Sequence, residues 1–131
     1  MRDLIEAAKA ARLRAHAPYS KFFVGAAMRD EQGRVFGGGN IENASNPQGW
    51  CAEPSAISAL IMAGGKRITE VAVMGNGDTL CTPCGGCRQK IAEFAKPEVQ
   101  VTLCTTDGAN KTMTVADLLP GVFTAAHMAR T

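Results

Sequence analysis

The chain of 131 residues has little of what a nucleic-acid-binding protein needs. Its formal net charge is only +2, and its longest basic run is the pair Lys66-Arg67. Aromatic residues, which stack on the bases of single strands, make up only 5% of the chain. Because polynucleotide binding requires a clustered basic surface, we expect no nucleic-acid polymer among its partners.

Long apolar stretches are also missing from the sequence. No segment approaches the roughly 18 consecutive apolar residues of a membrane-spanning helix. The N-terminal segment alternates charged residues with alanine and lacks the apolar centre of a signal peptide. We therefore predict no membrane partner and a cytoplasmic location. In that compartment, five cysteines are better interpreted as thiols or metal ligands than as disulfides.

The composition that is present, 46% hydrophobic and 20% charged, is that of an ordinary globular protein. The length suits one domain over residues 1–131. Alternating helix and strand patterns favour an α/β layered fold. The predicted elements are a helix over 2–14, strands over 22–28 and from 34 onward that form a hairpin, a helix over 51–63, a strand over 68–74, a helix over 84–95, a strand over 99–103 and a short helix over 115–119.

Three cysteines have the spacing of a metal site. Cys84 and Cys87 form a C-x-x-C pair, which lets two thiolates from one helical turn bind one ion. Cys51 lies 33 residues earlier, so it must approach from a different element. Three protein ligands leave the fourth tetrahedral position open for water, which is typical of a catalytic zinc. We predict one Zn²⁺ per chain on these three residues.

Glu53 is the candidate catalytic residue. It follows Cys51 by two positions, a rotation of about 200° in a regular helix. The first, irregular turn of a helix can still bring such a carboxylate beside the metal, where it can transfer protons. A Cys-x-Glu motif followed by Pro-Cys-x-x-Cys is the signature of zinc deaminases, in which the glutamate is not a ligand.

Six segments extend this signature over nearly the whole chain. They are Ala17-Pro18-Tyr19-Ser20, Phe22-Phe23-Val24-Gly25-Ala26-Ala27, Asn40-Ile41-Glu42-Asn43-Ala44, Cys51-Ala52-Glu53, Pro83-Cys84-Gly85-Gly86-Cys87-Arg88-Gln89 and Leu118-Leu119-Pro120-Gly121-Val122-Phe123. With these segments, in this order and spacing, the chain resembles the small, homotetrameric, zinc-dependent cytidine deaminases. The resemblance implies a three-layer α/β/α fold with a five-stranded mixed sheet. It also implies a homotetramer in which Phe123 reaches the base in a neighbouring subunit's site.

The same resemblance implies the other substrate contacts. Asn40 and Glu42 would bind the ribose hydroxyls, Phe22 would line the pocket, and the backbone of Ala52 would meet the pyrimidine beside Glu53. The implied reaction is hydrolytic removal of the 4-amino group from cytidine, deoxycytidine or a related cytosine nucleoside, releasing ammonia.

Two alternatives remain open from the sequence. One is a deaminase of a modified cytosine nucleoside or of a blasticidin-type nucleoside antibiotic. The other is a non-catalytic zinc-binding protein, and Glu53 argues against it, because a structural zinc site has no use for an acid beside the metal.

Two positions depart from the family's pattern. Pro54 stands where the family usually has an arginine that donates hydrogen bonds to the thiolates, which leaves Arg88 as a candidate donor. Asn46 stands where the family usually has a tyrosine, so we expect a roomier ribose end.

Three remaining residues have ordinary interpretations. Cys81 and Cys104 lie outside the motif and are interpreted as small buried hydrophobic residues. Trp50 fits a core anchor and a lid over the ligand equally well.

Overall fold

The computed structural model describes residues 1–128. Each helix and strand that the sequence predicted is present, and one strand, β5, is additional. The elements are α1 (Arg2–Arg12), β1 (Gly25–Asp30), β2 (Val35–Gly39), α2 (Ala52–Met62), β3 (Ile68–Met74), α3 (Gly85–Phe94), β4 (Ala95–Cys104), β5 (Asn110–Thr114) and α4 (Val115–Leu118), with 3-10 turns at Asn46–Gln48 and Ala125–Met128. Within residues 1–128, no helix has the length and apolar character needed to cross a membrane.

The five strands form one mixed sheet in the order β2-β1-β3-β4-β5. β1 runs antiparallel to both β2 and β3, which confirms the predicted hairpin. β3 and β4 are parallel, and β5 is antiparallel to β4. Because β1 opposes both of its neighbours, β2 and β3 run in the same direction and their carboxyl ends lie at the same edge of the sheet.

Helices cover both faces of this sheet. Successive side chains of a strand point to opposite faces, and β1 shows the alternation clearly. Met28 packs in the core that includes Leu60 of α2, whereas Ala27 packs in a second core with Leu4 and Ala8 of α1. With α2, α3 and α4 on one face and α1 on the other, the predicted three-layer α/β/α fold is confirmed.

The glycine run at the end of β2 lets α2 approach the sheet closely. A side chain on Gly38 would overlap the backbone at Ser55 and Ala56 of α2. The close approach fixes the first turn of α2 at the carboxyl end of β2. The N-terminus of α3 follows the carboxyl end of β3 at the same sheet edge, so the two helix starts meet there.

The segment before β1 differs from the prediction. The apolar run from Phe22 predicted a strand, but β1 begins only at Gly25. Side chains take the place of strand partners here. The Oδ1 of Asn76 accepts from the N–H of Phe23 at 3.1 Å, and the Oδ1 of Asn40 accepts from the N–H of Val24 at 2.9 Å. The segment is therefore extended without being part of the sheet.

Candidate active site

Three cysteine sulfurs come together where α2 and α3 begin. The Sγ atoms of Cys51, Cys84 and Cys87 all lie within 4.8 Å of one another, as the spacing predicted. Cys51 is the N-cap of α2, Cys84 is the N-cap of α3, and Cys87 lies in the first turn of α3. Sulfurs in tetrahedral zinc sites are about 3.8 Å apart, given Zn–S bonds of about 2.3 Å. This cluster is compact enough to fit such a site.

The local electrostatics differ among the three thiols, because burial is the largest cause of a raised pKa at both Cys51 and Cys87, whereas the pKa of Cys84 is lowered. The backbone N–H of Cys87 donates to the Cys84 sulfur, and this bond is the main cause of the lowered pKa of Cys84. The N-termini of α2 and α3 both point their free N–H groups and positive dipole ends at the sulfurs. Soft thiolate ligands of this kind suit zinc.

Glu53 lies in the first turn of α2 with 4% of its surface exposed. Burial is the largest cause of the raised pKa of its carboxyl group. A carboxyl group whose pKa is shifted toward neutrality both accepts and donates protons readily at physiological pH. The first turn of α2 thus places Glu53 beside the thiols, where its carboxyl group shares a hydrogen bond with Cys87.

A cavity of about 200 Å³ opens beside the cysteines and Glu53. Small, mostly apolar cavities with a few polar groups are typical of small-molecule sites. The structure brings together in it most of the predicted catalytic and substrate-binding residues. Its wall includes Phe22, Asn40, Cys51, Ala52, Glu53 and Cys84.

A family model described as "Cytidine and deoxycytidylate deaminase zinc-binding region" matches residues 1–103 of the chain. The chain belongs to this deaminase family. It is therefore a zinc-dependent hydrolase, and the three clustered thiols are the group that fits the metal.

Individual cytidine deaminases are similar in sequence to this chain over nearly its full length. A cytidine deaminase of Sporosarcina psychrophila is 42% identical over 120 residues, which are 92% of this chain and 88% of that protein. The cytidine deaminase of Halalkalibacterium halodurans is 41% identical over 125 residues, 95% of each chain. A crystal structure of cytidine deaminase from Burkholderia pseudomallei superposes with a TM-score of 0.88 at 44% identity, covering 93% of this chain and 98% of that one.

Glu42 lies outside the cavity that Glu53 and the cysteines line. It lines a second cavity of about 480 Å³, together with Tyr19, Ser20 and Asn46. Its carboxylate accepts hydrogen bonds from the hydroxyl and N–H of Ser20 and from the N–H of Tyr19. Asn40, which the resemblance paired with Glu42, faces the first cavity, where its Nδ2 donates to the carbonyl of Phe22 at 2.9 Å.

Neither Pro54 nor Arg88 is seen to donate a hydrogen bond to the cysteine sulfurs in the part of the chain that the structure describes. Pro54 is buried in the first turn of α2. Arg88, the candidate donor, instead donates from Nε to the carbonyl of Pro83 and from Nη1 to the carbonyl of Leu118, both at 2.7 Å. The charge of Lys90, by contrast, reaches Glu53 and opposes the rise in its pKa, which burial mainly causes.

Trp50 does not fit the first of its two sequence interpretations, a core anchor. Its side chain is 45% exposed, so it is not a core anchor, and it is absent from the cavity wall. The Nζ of Lys90 lies 4.8 Å from the centre of its ring, and its backbone exchanges two hydrogen bonds with Ile41. The sequence analysis did not identify Lys90, because no motif contains it and only its position one helical turn after Cys87 relates it to the site.

The two cysteines outside the motif differ from each other. Cys104 is 2% exposed in the core beneath α1, as predicted. Cys81 is only half-buried and lines the cavity beside Glu53, which the sequence interpretation missed. A signal was available, because Cys81 and Cys84 repeat the C-x-x-C spacing of Cys84 and Cys87.

Phe123 lies outside the cavity of its own chain. Its ring is 57% exposed and stacks on His127, with the ring centres 5.3 Å apart. Its carbonyl accepts a hydrogen bond of 2.9 Å from the side chain of Gln89 on α3. The role of Phe123 in a neighbouring site stays a prediction.

Proposed function

We propose that this protein hydrolyses the 4-amino group of cytidine and deoxycytidine, giving the uracil nucleoside and ammonia. The observation that carries the proposal is the buried carboxyl group of Glu53 in one small cavity with the thiols of a three-cysteine metal site. The names of the relatives, all cytidine deaminases, support this substrate class.

In this mechanism Glu53 transfers the protons. Zinc, when bound to Cys51, Cys84 and Cys87, supplies an acidified water, since it lowers the pKa of water toward 7. Glu53 accepts a proton from the water and delivers it to the ring nitrogen N3 while the water oxygen bonds to C4. Glu53 then takes the second proton of the former water from the hydroxyl on C4 and transfers it to the amine. The C4–N4 bond breaks, and ammonia leaves.

The remaining contacts orient the nucleoside. We propose that Phe22 packs against the pyrimidine and that the backbone of Ala52 hydrogen-bonds to it. The ribose is then directed toward Asn40 and, beyond it, toward Glu42. The Ser20 hydroxyl donates a hydrogen bond to the Glu42 carboxylate and so fixes its position. This bond is the largest cause of the lowered pKa of Glu42, which favours the ionised form.

A specific observation also supports the modified-nucleoside alternative. Asn46 lines the wide second cavity with Glu42, at the proposed sugar end. A substituent on the sugar has room there that a tyrosine at this position would take. Cytidine and sugar-modified cytosine nucleosides are therefore the two substrate classes to compare.

Ultraviolet-monitored deamination by the zinc-loaded protein tests the proposal. The panel contains cytidine, deoxycytidine, free cytosine, sugar-modified cytidines and a blasticidin-type nucleoside. We expect turnover of the first two, none of free cytosine, which lacks the sugar, and tolerance of sugar substituents. Absence of turnover with cytidine and deoxycytidine, together with turnover of a modified nucleoside, would replace the proposal by its alternative.

We further propose a homotetramer in which Phe123 completes a neighbour's site. Its exposed ring and its absence from the cavity wall of its own chain support this role. Light scattering is expected to give four chains per particle, and Phe123→Ala is expected to raise KM more than it lowers kcat.

Mixed oligomers separate the two ways in which Phe123 can act. If Phe123 acts across subunits, then mixing Glu53→Gln chains with Phe123→Ala chains restores some sites, because one chain supplies Glu53 and its neighbour supplies Phe123. Mixing Phe123→Ala chains with chains that carry both Glu53→Gln and Phe123→Ala is the control, because no chain in that mixture supplies Phe123. A fully active monomer would refute the shared site.

The chemistry of the thiols supports a cytoplasmic location. All five cysteines are free, and the three of the metal cluster must stay reduced to bind zinc. Deamination of free cytosine nucleosides in that compartment would return them to the uracil pool, a pyrimidine salvage step.

A further inference from the structure

Cys81 occupies the wall of the deaminase cavity without belonging to the metal cluster. It lies between β3 and α3, three residues before Cys84, and lines the cavity of about 200 Å³ with Phe22 and Glu53. The group of sulfurs that lie within 4.8 Å of one another contains Cys51, Cys84 and Cys87 and not Cys81. Cys81 is therefore a thiol of the cavity wall that lies outside the metal cluster.

The position of Cys81 is fixed from behind by Gly75, the residue that follows β3. A Cβ atom on Gly75 would lie 2.6 Å from the Cβ of Cys81, 3.3 Å from its Sγ and 3.6 Å from the Cζ of Phe22. Cys81 and Phe22 thus both pack against the bare backbone of Gly75. Because the glycine leaves no spare room behind them, any change in the volume of residue 81 changes the volume of the cavity.

Cys81 faces the reacting end of the cavity. It lines the same small cavity as Glu53, Cys51 and Cys84, the groups at which the metal and the proton transfers are placed. A cytosine ring must bring its C4 and amine to that end to react. The base, and not the sugar, is then the part of the substrate beside residue 81.

We propose that Cys81 is a specificity-determining residue whose side chain limits the substituents that the pyrimidine ring can carry. The inference rests on the proposed function, since it assumes a cytosine ring in this cavity. Cysteine here is a small apolar group, and one methylene-sized change in an apolar pocket alters discrimination by about 10- to 200-fold.

A substrate panel on three proteins tests the assignment. The measured quantity is the ratio of kcat/KM for 5-methylcytidine to kcat/KM for cytidine. We expect Cys81→Ala to raise this ratio by about tenfold and Cys81→Val to lower it by a similar factor. The ratio of deoxycytidine to cytidine should stay unchanged, because the sugar lies elsewhere. Cys104→Ala, in the core beneath α1, is the matched control and should leave both ratios at the parent values.

Chemical labelling of the parent holoenzyme gives a second measurement that does not depend on folding of a variant. Zinc holds three of the five thiols and Cys104 is 2% exposed, so methyl methanethiosulfonate should transfer its methylthio group to Cys81 first. Uridine, the product of cytidine deamination, should slow this labelling in proportion to the fraction of cavities that it occupies. Zinc content should not change.

The outcomes separate the two proposals. A parent protein that fails to deaminate any cytosine nucleoside contradicts the proposed function. A parent that deaminates cytidine, with the 5-methyl ratio unchanged in Cys81→Ala and labelling of Cys81 indifferent to uridine, overturns the role of Cys81 and leaves the proposed function standing.

Discussion

Replacing Glu53 by glutamine is expected to lower kcat by more than about 10⁴-fold while the protein keeps its zinc and its fold. General acid–base groups typically contribute about 10²- to 10⁴-fold, and here one carboxyl group serves several successive proton transfers. Glutamine has the same size and shape as glutamate, but it neither accepts nor donates a proton at neutral pH. KM should change little, because the amide retains the shape of the cavity wall.

Three measurements make the Glu53 result specific. Elemental analysis should give one zinc per chain in Glu53→Gln. The melting temperature should equal or exceed that of the parent, because burying a carboxyl group that is not fully compensated destabilises the fold. Glu93→Gln, an exposed acid on α3, is the matched control and should retain parent turnover. Turnover of Glu53→Gln within roughly tenfold of the parent would assign the proton transfers to another group.

The elements of the fold could largely be predicted, because apolar periodicity reports burial and most elements here are buried on one face. The prediction failed where side chains replaced strand partners. Phe23 and Val24 have the apolar character of a strand, yet their backbone N–H groups donate to the side chains of Asn76 and Asn40, which lie 53 and 16 residues further along the chain. β5 escaped prediction for a related reason, since its Asn110–Thr114 segment is polar and lies at the sheet edge.

The catalytic cluster was predictable because its ligands lie at helix starts. Cys51 and Cys84 each cap a helix, so local spacing and the sheet topology together determine where they meet. The surroundings of the cluster were not predictable in this way. Lys90 reaches Trp50 from α3, and Cys81 packs against Gly75 at the cavity wall. Both contacts depend on three-dimensional packing that no short motif encodes.

The positive groups around the metal site offset part of the negative charge that its thiolates and Glu53 carry. Three thiolates and one Zn²⁺ carry a net charge of −1, and Glu53 adds a further acid beside them. The N-termini of α2 and α3 offset part of this charge, and Lys90 is the nearby cation whose charge reaches Glu53. Zinc should therefore be held tightly, and its retention should depend on each ligand separately.

Replacing one ligand cysteine by alanine is expected to weaken zinc binding by more than about a hundredfold. Changes to residues that only support the ligands already cost about 10- to 100-fold in metal affinity, and a lost thiolate removes a direct bond. Cys84→Ala is the clearest variant, because Cys84 is exposed and its removal leaves no cavity in the core, whereas Cys87 is 1% exposed. Competition with a chromophoric chelator measures the loss.

Thermal unfolding distinguishes loss of the ligand from loss of the fold. Binding to the native state stabilises a protein in proportion to the logarithm of ligand concentration over Kd, so a chelator should lower the melting temperature of the parent and of Cys104→Ala. It should have almost no effect on Cys84→Ala or Cys51→Ala, which have already lost the metal. Cys81→Ala should keep one zinc and respond to the chelator as the parent does. Full zinc in Cys84→Ala, or loss of zinc in Cys81→Ala, would each contradict the ligand assignment, and the two results together would show that Cys81 and not Cys84 completes the ligand set.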